Sequence, residues 1–137
     1  MNLNETNVGD LEIYLGKLLD SHTISSQNAL PKVDQIGLSL TDESGVIVGG
    51  ITGKLTGENF HISLLATHPE YYGKGYGTML LEGIEKIAIS KGAKIFTITT
   101  LSHQAPKFYQ KNGYEIFASL ENCPYEGVTK FYLSKSV

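Results

Sequence analysis

The chain has 137 residues, of which 41% are hydrophobic, with one cysteine and a formal net charge of −3. This length predicts a single domain, residues 1–137, with a core of its own. There is no run of about eighteen apolar residues, so a membrane-spanning helix is excluded. The negative charge argues against a broad nucleic-acid surface. Cys123 has no partner for an intrachain disulfide, which fits a reducing cytoplasm.

The amino-terminal segment predicts one helix followed by a connection. Asp10 is placed to cap the helix, because an aspartate side chain can accept from the first free amides. The apolar residues that follow recur at helical spacing: Leu11, Tyr14, Leu15, Leu18 and Leu19. The stretch from His22 to Lys32 is polar and contains a proline, so it indicates a connection with at most a short helical piece.

From Ile36 the period of the pattern changes to two, which is typical of strands. Three strands are predicted over 36–41, 46–51 and 60–67, joined by turns at 42–45 and 56–59. This order describes an antiparallel meander. Gly49 and Gly50 lie inside the second strand, which indicates a bulge or the close approach of another group.

A glycine-rich loop follows the third strand and opens directly into a helix. The stretch from Tyr72 to Thr78 reads Tyr-Gly-Lys-Gly-Tyr-Gly-Thr, and helical spacing continues to Lys91 before Gly92. Glycines leave the loop amides unobstructed, and the first amides of a helix have no partner inside it. The unit therefore predicts a site for a phosphate or pyrophosphate.

The rest of the chain predicts a parallel crossover and two closing strands. A strand at 94–100, rich in β-branched residues, follows the helix and completes a β-α-β unit with the strand at 60–67. A short helix is predicted over 102–112, beginning near Ser102 or His103, and further strands over 114–119 and 128–133.

Glycine spacing separates the possible phosphate ligands. A dinucleotide fingerprint needs G-x-G-x-x-G, whereas Gly73, Gly75 and Gly77 alternate. A P-loop needs a glycine where His68 stands. Gly75-Tyr76-Gly77 instead resembles the second half of the acetyl-CoA loop of the GNAT superfamily of N-acetyltransferases, Gln/Arg-x-x-Gly-x-Gly/Ala, with Tyr72 at the position of the usual glutamine or arginine.

A second motif makes the same resemblance more specific. The segment from Ala105 to Tyr114 reads Ala-Pro-Lys-Phe-Tyr-Gln-Lys-Asn-Gly-Tyr and is similar to the GNAT signature Ala-x-x-Phe-Tyr-x-Lys-x-Gly-Phe/Tyr. The chain is thereby identified as similar to small single-domain members. The resemblance implies a mixed α/β fold: about six mostly antiparallel strands, a central β-α-β unit, splayed strands and helices on both faces.

The resemblance also implies a role for each matching residue. Tyr109 would be the catalytic acid beside the sulfur of acetyl-CoA, and no metal ion is implied. The backbone of the strand before the loop would pair with the pantetheine arm, the loop would hold the pyrophosphate, and Ser102 stands where many members have an asparagine that contacts the arm. The implied cofactor-binding residues are Leu65, Ala66, Thr67, Tyr72, Gly73, Lys74, Gly75, Tyr76, Gly77, Thr78, Ser102 and Phe108.

The base and the acceptor stay open at this point. Family members often use a carboxylate on the strand before the loop, and none lies between Phe60 and Thr67, so His61, His68, His103 or water remain as bases. The first hypothesis is an acetyl-CoA-dependent transferase acting on a primary amine of a small molecule or peptide. The alternative is an acyl-CoA-binding regulatory module with little turnover. The protein would be a cytoplasmic monomer or homodimer without nucleic-acid or membrane partners.

Overall fold

The computed structural model describes residues 1–27 and 30–137, with Gln27 described by its backbone alone. These residues divide into two compact units, Met1–Pro31 and Lys32–Val137. The second unit contains a six-stranded sheet with helices, in the strand order β1-β2-β3-β4-β6-β5. Its elements are β1 (Val33–Thr41), β2 (Ile47–Thr56), β3 (Asn59–Thr67), a 3-10 turn (Pro69–Tyr71), α2 (Tyr76–Ser90), β4 (Ile95–Leu101), α3 (Pro106–Lys111), β5 (Glu115–Leu120) and β6 (Lys130–Ser136).

The first unit contains one helix, α1 (Val8–Gln27), which begins earlier and ends later than the sequence predicts. The Oδ1 atom of Asn7 accepts from the amide of Asp10 at 3.0 Å, so Asn7 provides the cap that the sequence assigned to Asp10. The predicted connection at His22 is also wrong up to Gln27, because Ser, Thr and Ile cost a helix only a few tenths of a kcal/mol each. Residues 28 and 29 of that connection lie outside the described residues.

The β-α-β unit predicted from the sequence is confirmed. β3 and β4 are parallel, α2 connects them, and every other strand pair in the sheet is antiparallel. One face of the sheet is buried because alternate side chains of the strands meet the apolar face of α2. The core comprises Ile51, Leu55, Phe60, Ile62, Leu80, Leu81, Ile84, Ala88, Phe96, Ile98 and Leu133 with their neighbours. No helix in the described part of the chain is long and apolar enough to cross a membrane.

Several strand and helix boundaries differ from the sequence-based ones for local reasons. β2 continues to Thr56 because it stays paired with β1 up to Val33, and the sequence pattern missed this because the inward residue between Ile51 and Leu55 is a glycine. α3 begins only at Pro106. β6 begins at Lys130, since the two preceding residues make loop hydrogen bonds instead.

The double glycine in β2 lies where chains approach closely, as predicted. A Cβ atom on Gly49 would lie 2.9 Å from Cγ2 of Thr67 and 3.0 Å from the carbonyl oxygen of Ala66. The register between β1 and β2 also shifts beside Gly49, at Leu40 and Thr41. Any larger residue would push β3 away at its carboxyl end, next to the glycine-rich loop.

Candidate active site

β3 and β4 pair over only three residues and then part. The last pair is His61 with Thr97, although β3 continues to Thr67 and β4 to Leu101. The other edge of β3 stays paired with β2 throughout, with a register shift around Ser63. Such a bulge bends a strand and increases its twist, which helps the two strands diverge.

This split leaves one edge of β3 without a partner strand. Leu65, Ala66 and Thr67 lie on the divergent part, where β2 occupies only their other side. Unpaired peptide groups on a strand edge bind extended chains that carry amides, as in β-strand addition. The split can therefore receive a linear amide-containing ligand.

The glycine-rich loop lies at the mouth of this split, between β3 and α2. Gly73 has a φ of +75° and Gly75 a φ of +82°, which are left-handed values that side chains disfavour. Gly75 is the N-cap of α2 and supplies no side-chain hydrogen bond. The loop thus turns into the helix with its amino-terminal end uncapped.

The amides of this loop are free for a ligand. Within residues 1–27 and 30–137, none of the amides from Gly73 to Thr78 donates a hydrogen bond, and the first amide engaged is that of Met79, to Gly75 O at 3.1 Å. Uncapped amides at a helix amino terminus carry partial positive charge. A phosphate or pyrophosphate fits this donor set.

Aromatic and cationic side chains surround the loop. The Lys74 ammonium lies 5.5 Å from the centre of the Tyr71 ring, and the Tyr76 ring packs edge-on against Tyr71 at 5.8 Å. Tyr72 is exposed, and its amide closes the 3-10 turn by donating to Pro69. Lys74 therefore adds positive charge to the anion site, while the tyrosines hold the loop in shape.

The second motif packs directly against the first. A Cβ atom on Gly77 would lie 3.3 Å from the Phe108 ring, so the glycine lets α3 pack closely against the first turn of α2. Phe108 also packs on the core and on the Tyr109 ring, at 5.1 Å between centroids. Two motifs that are about thirty residues apart in sequence meet here.

Tyr109 is buried, but its hydroxyl has no hydrogen-bond partner among the described residues. The residue is 5% exposed, and the hydroxyl makes no hydrogen bond to any described residue. No buried side-chain oxygen among the described residues lacks a partner, so we infer that this oxygen keeps access to solvent. Burial raises the pKa of Tyr109 to about 12, and the phenol therefore stays protonated at neutral pH.

The raised pKa predicts a loss of stability at alkaline pH. The pKa of the phenol is about 10 in the unfolded chain and about 12 in the folded one. Its contribution to the stability of the fold is therefore intact below pH ~10 and is lost as the pH rises towards ~12. Urea unfolding of wild type and Tyr109→Phe should show a smaller decline with pH in the variant. Equal declines would contradict the shifted pKa.

Ser102 and Gln104 hold the turn between β4 and α3. The Ser102 hydroxyl accepts from the amide of Thr129 at 3.1 Å, and its own amide donates to Thr129 O at 2.8 Å. The Gln104 side-chain oxygen accepts from the amide of Leu101 at 2.9 Å. The cofactor role implied for Ser102 stays a prediction, and the turn contact of Gln104 was not predicted.

The histidines occupy different settings. The His68 ring nitrogen Nδ1 caps the 3-10 turn by accepting from the amide of Glu70, and His103 is exposed in the turn before α3. His61 lies in the last β3–β4 pair, with Nδ1 2.9 Å from Oγ1 of Thr97. The described residues contain no group of three or more His, Cys, Asp or Glu side chains that could hold a metal ion.

Thr97 holds the ring of His61 in place. The Thr97 hydroxyl lies 2.9 Å from Nδ1 of His61 and 3.3 Å from Oδ1 of Asn59, to which it can donate. Nε2, the other ring nitrogen, makes no hydrogen bond with the described residues.

The family model described as "Acetyltransferase (GNAT) domain" matches residues 36–116. This is more than half of the chain, and it includes the split, the loop and α3. The chain belongs to the GNAT acetyltransferase family, and it is an acyltransferase enzyme.

Sequence and structural relatives agree with this assignment. The chain is 32% identical to blasticidin-S acetyltransferase from Streptomyces morookaense over 96 residues. This alignment covers 69% of this chain and 70% of that protein. An acetyltransferase structure from Bacillus cereus matches with a TM-score of 0.90 and 27% identity, covering 100% of this chain and 98% of the other. The PaiA N-acetyltransferase of Thermoplasma acidophilum, solved with coenzyme A, matches with a TM-score of 0.63 and 24% identity, covering 96% and 80%.

Proposed function

We propose that the protein transfers an acetyl group from acetyl-CoA to a primary amine of a small molecule or peptide. The observation that carries this proposal is the split between β3 and β4 with an uncapped glycine-rich loop at its mouth. A pyrophosphate with an amide-containing arm, as in coenzyme A, suits both features. The relative named for blasticidin S supports a small-molecule acceptor.

The residues of the chain would hold acetyl-CoA in two places. The amides of Gly73 to Thr78 bind the pyrophosphate, and Lys74 adds a charge beside it. The open edge of β3 at Leu65–Thr67 pairs with the amides of the pantetheine arm. Tyr72, Phe108 and Ser102 are assigned to the same site because they stand at positions that the family motifs associate with the cofactor.

Three groups of the protein carry the reaction in this proposal: a backbone amide, an acid and a base. Acetyl-CoA supplies an acetyl group activated as a thioester. The open edge of β3 presents a backbone amide near Leu65 that polarises the acetyl carbonyl. The neutral amine attacks the acetyl carbon, the new C–N bond forms and the C–S bond breaks, and Tyr109 donates its phenolic proton to the departing sulfur. The nitrogen of the new amide gives up its second proton through water, which restores the phenol. The ammonium form of the acceptor must first lose a proton, which requires a base.

We assign that base to His61. Its place in the last β3–β4 pair puts it where the split closes, at the end opposite the phosphate loop. Its Nε2, which has no partner among the described residues, accepts the proton that the amine loses, and Thr97 orients the ring through Nδ1. Four strand residues, about 13 Å, separate His61 from Leu65, so the proton passes through water. This arrangement compensates for the missing carboxylate on β3.

His61→Ala is expected to lower kcat on the order of 10²-fold, because it removes the base. Added imidazole should restore part of the rate, since it supplies the missing ring without repairing any packing. Thr97→Val should cause a smaller loss, because it removes the hydroxyl that orients the His61 ring, and His22→Ala serves as the matched histidine control. Steady-state kinetics with a known acceptor provide the measurement. Wild-type rates in His61→Ala would contradict this assignment and leave the role to His68, His103 or water.

The proposed function is tested by release of free CoA thiol with a panel of amines. The panel should contain aminoglycosides, nucleoside antibiotics, polyamines and peptides with free amino termini. We expect thiol release that depends on both acetyl-CoA and one class of amine. Tight acetyl-CoA binding without release for any amine would contradict the proposed acetyl transfer to an amine and favour an acyl-CoA-binding regulatory module.

A further inference from the structure

A buried charge cluster connects four elements behind α3. Its members are Glu85 on α2, Tyr114 directly before β5, Lys135 on β6 and Asn112, the C-cap of α3. The Tyr114 hydroxyl donates to Glu85 at 2.7 Å. The Lys135 ammonium donates to both Glu85 oxygens, at 3.2 and 3.1 Å, and to the carbonyl of Asn112 at 3.1 Å.

Glu85 lies where the pattern of α2 calls for an apolar residue. Its neighbours on the same face, Leu81, Ile84 and Ala88, are all fully buried, and Glu85 itself is 7% exposed. Removing a carboxylate from water costs several kcal/mol, and a well-packed apolar side chain is often the more stable choice. Stability alone therefore does not account for a glutamate here.

The cluster connects directly to the backbone around Tyr109. The Tyr109 carbonyl accepts from the amides of Asn112 and Tyr114, both at 3.0 Å. The Asn112 side chain donates to the carbonyl of Phe108 at 2.9 Å. The rings of Tyr109 and Tyr114 pack edge-on with centroids 5.8 Å apart. Any shift of Tyr114 or Asn112 would therefore move Tyr109.

Lys135 holds the carboxyl end of α3 through its ammonium group. Its ammonium binds the Asn112 carbonyl, where the helix dipole is negative, and it lies 5.5 Å from the centre of the Tyr114 ring. A charged Glu85 is what keeps this lysine in place, because the cation is only partly exposed and needs a counterion.

We infer that the Glu85–Tyr114–Lys135 cluster positions Tyr109 for proton donation. This inference rests on the proposed function and names Glu85 as a positioning residue for that site. Burial, followed by the hydrogen bond to Glu85, raises the pKa of Tyr114, so its hydroxyl keeps the donated proton and the cluster stays intact at neutral pH.

The cluster is expected to affect the chemical step and not cofactor binding. Glu85 follows Gly75 by ten residues, about 15 Å along the helix axis, so the phosphate site lies at the other end of α2. Glu85→Gln keeps the shape and an acceptor for Tyr114 but removes the charge. We expect kcat to fall about tenfold, since sub-ångström misplacement of a catalytic group is costly. The affinity for acetyl-CoA should change less than about twofold.

The test is a double-mutant cycle between Glu85→Gln and Tyr109→Phe. If Glu85 acts through Tyr109, its replacement should cost little in the Tyr109→Phe background. Glu82→Gln, an exposed glutamate on the same helix, is the matched control and should leave turnover unchanged. The same loss from Glu85→Gln in both backgrounds would overturn the inference. Should Glu85→Gln not fold, Tyr114→Phe takes its place, because it removes only the hydroxyl.

A second readout needs no turnover. In protein labelled with 13C at the tyrosine ring, the Tyr109 signal is identified by its absence from Tyr109→Phe. This signal should move in Glu85→Gln and stay in place in Glu82→Gln. An unmoved signal would overturn the positioning role. Absence of turnover in wild type would contradict the proposed function alone, since the spectra still decide the role of Glu85.

Discussion

Replacing Gly75 with valine is expected to weaken acetyl-CoA binding by a hundredfold or more. Gly75 has a φ of +82°, which a β-branched residue adopts only with strain. No atom lies within 4 Å of a Cβ placed there, so the fold has room for a side chain. In the proposed complex, a phosphate approaches the loop amides through that space. Two lost hydrogen bonds to a charged group, at about 1.5–3 kcal/mol each, give this size of effect.

Gly45→Val is the matched control for this prediction. Gly45 also has a φ of +82° and also has no atom within 4 Å of its Cβ position, but it lies in the β1–β2 turn. Both variants carry the same backbone strain, so a thermal unfolding curve should show similar losses of stability. Calorimetry with acetyl-CoA should separate them. If folded Gly75→Val binds like Gly45→Val, the loop does not hold the pyrophosphate.

Replacing Tyr109 with phenylalanine is expected to lower the rate of the chemical step on the order of 10²-fold. The change removes only the hydroxyl and keeps the edge-on packing against Phe108 and Tyr114. A thiol has a pKa of about 8.5, so the sulfur can leave unaided at a modest cost. The apparent affinity for acetyl-CoA should stay unchanged, which is the pattern of a group that acts in the transition state.

The pKa of Tyr109 gives this prediction a second test. A phenol with a pKa of about 12 stays protonated throughout the range in which enzymes are usually assayed. Wild type should therefore show no loss of rate from this group up to pH ~10, and the ratio of wild-type to variant rates should stay flat. Tyr125→Phe, at an exposed loop tyrosine, is the control and should behave as wild type. Equal single-turnover rates for wild type and Tyr109→Phe would leave Tyr109 as a packing residue.

Periodicity alone predicted most of the fold of residues 32–137. The meander, the crossover and α2 follow from apolar alternation, helical spacing and the glycines at 75 and 92. The ends of elements were less predictable. β2 and β6 extend further than expected because their last residues pair with β1 and β4. The pattern within one strand does not show which residues of another strand it will pair with.

The candidate site was predictable where it depends on backbone and motif, and not where it depends on side-chain partners. Alternating glycines before a helix indicate free amides, and the structure has them from Gly73 to Thr78. The His61–Thr97 contact joins residues 36 positions apart, so no local spacing reveals it. Glu85 did leave a signal, because it interrupts the apolar face of α2, and a charge at such a position indicates a buried partner.

The most direct measurement of the central claim is transfer of a labelled acetyl group. Acetyl-CoA carrying 13C in the acetyl carbonyl would be incubated with the protein and the best amine from the panel, and the products followed by mass spectrometry and NMR. The account predicts a labelled amide on the acceptor, one free CoA for each amide formed, and strong loss of both in Tyr109→Phe and Gly75→Val. Release of CoA without a labelled amide, or label that stays on acetyl-CoA with every amine, would contradict it.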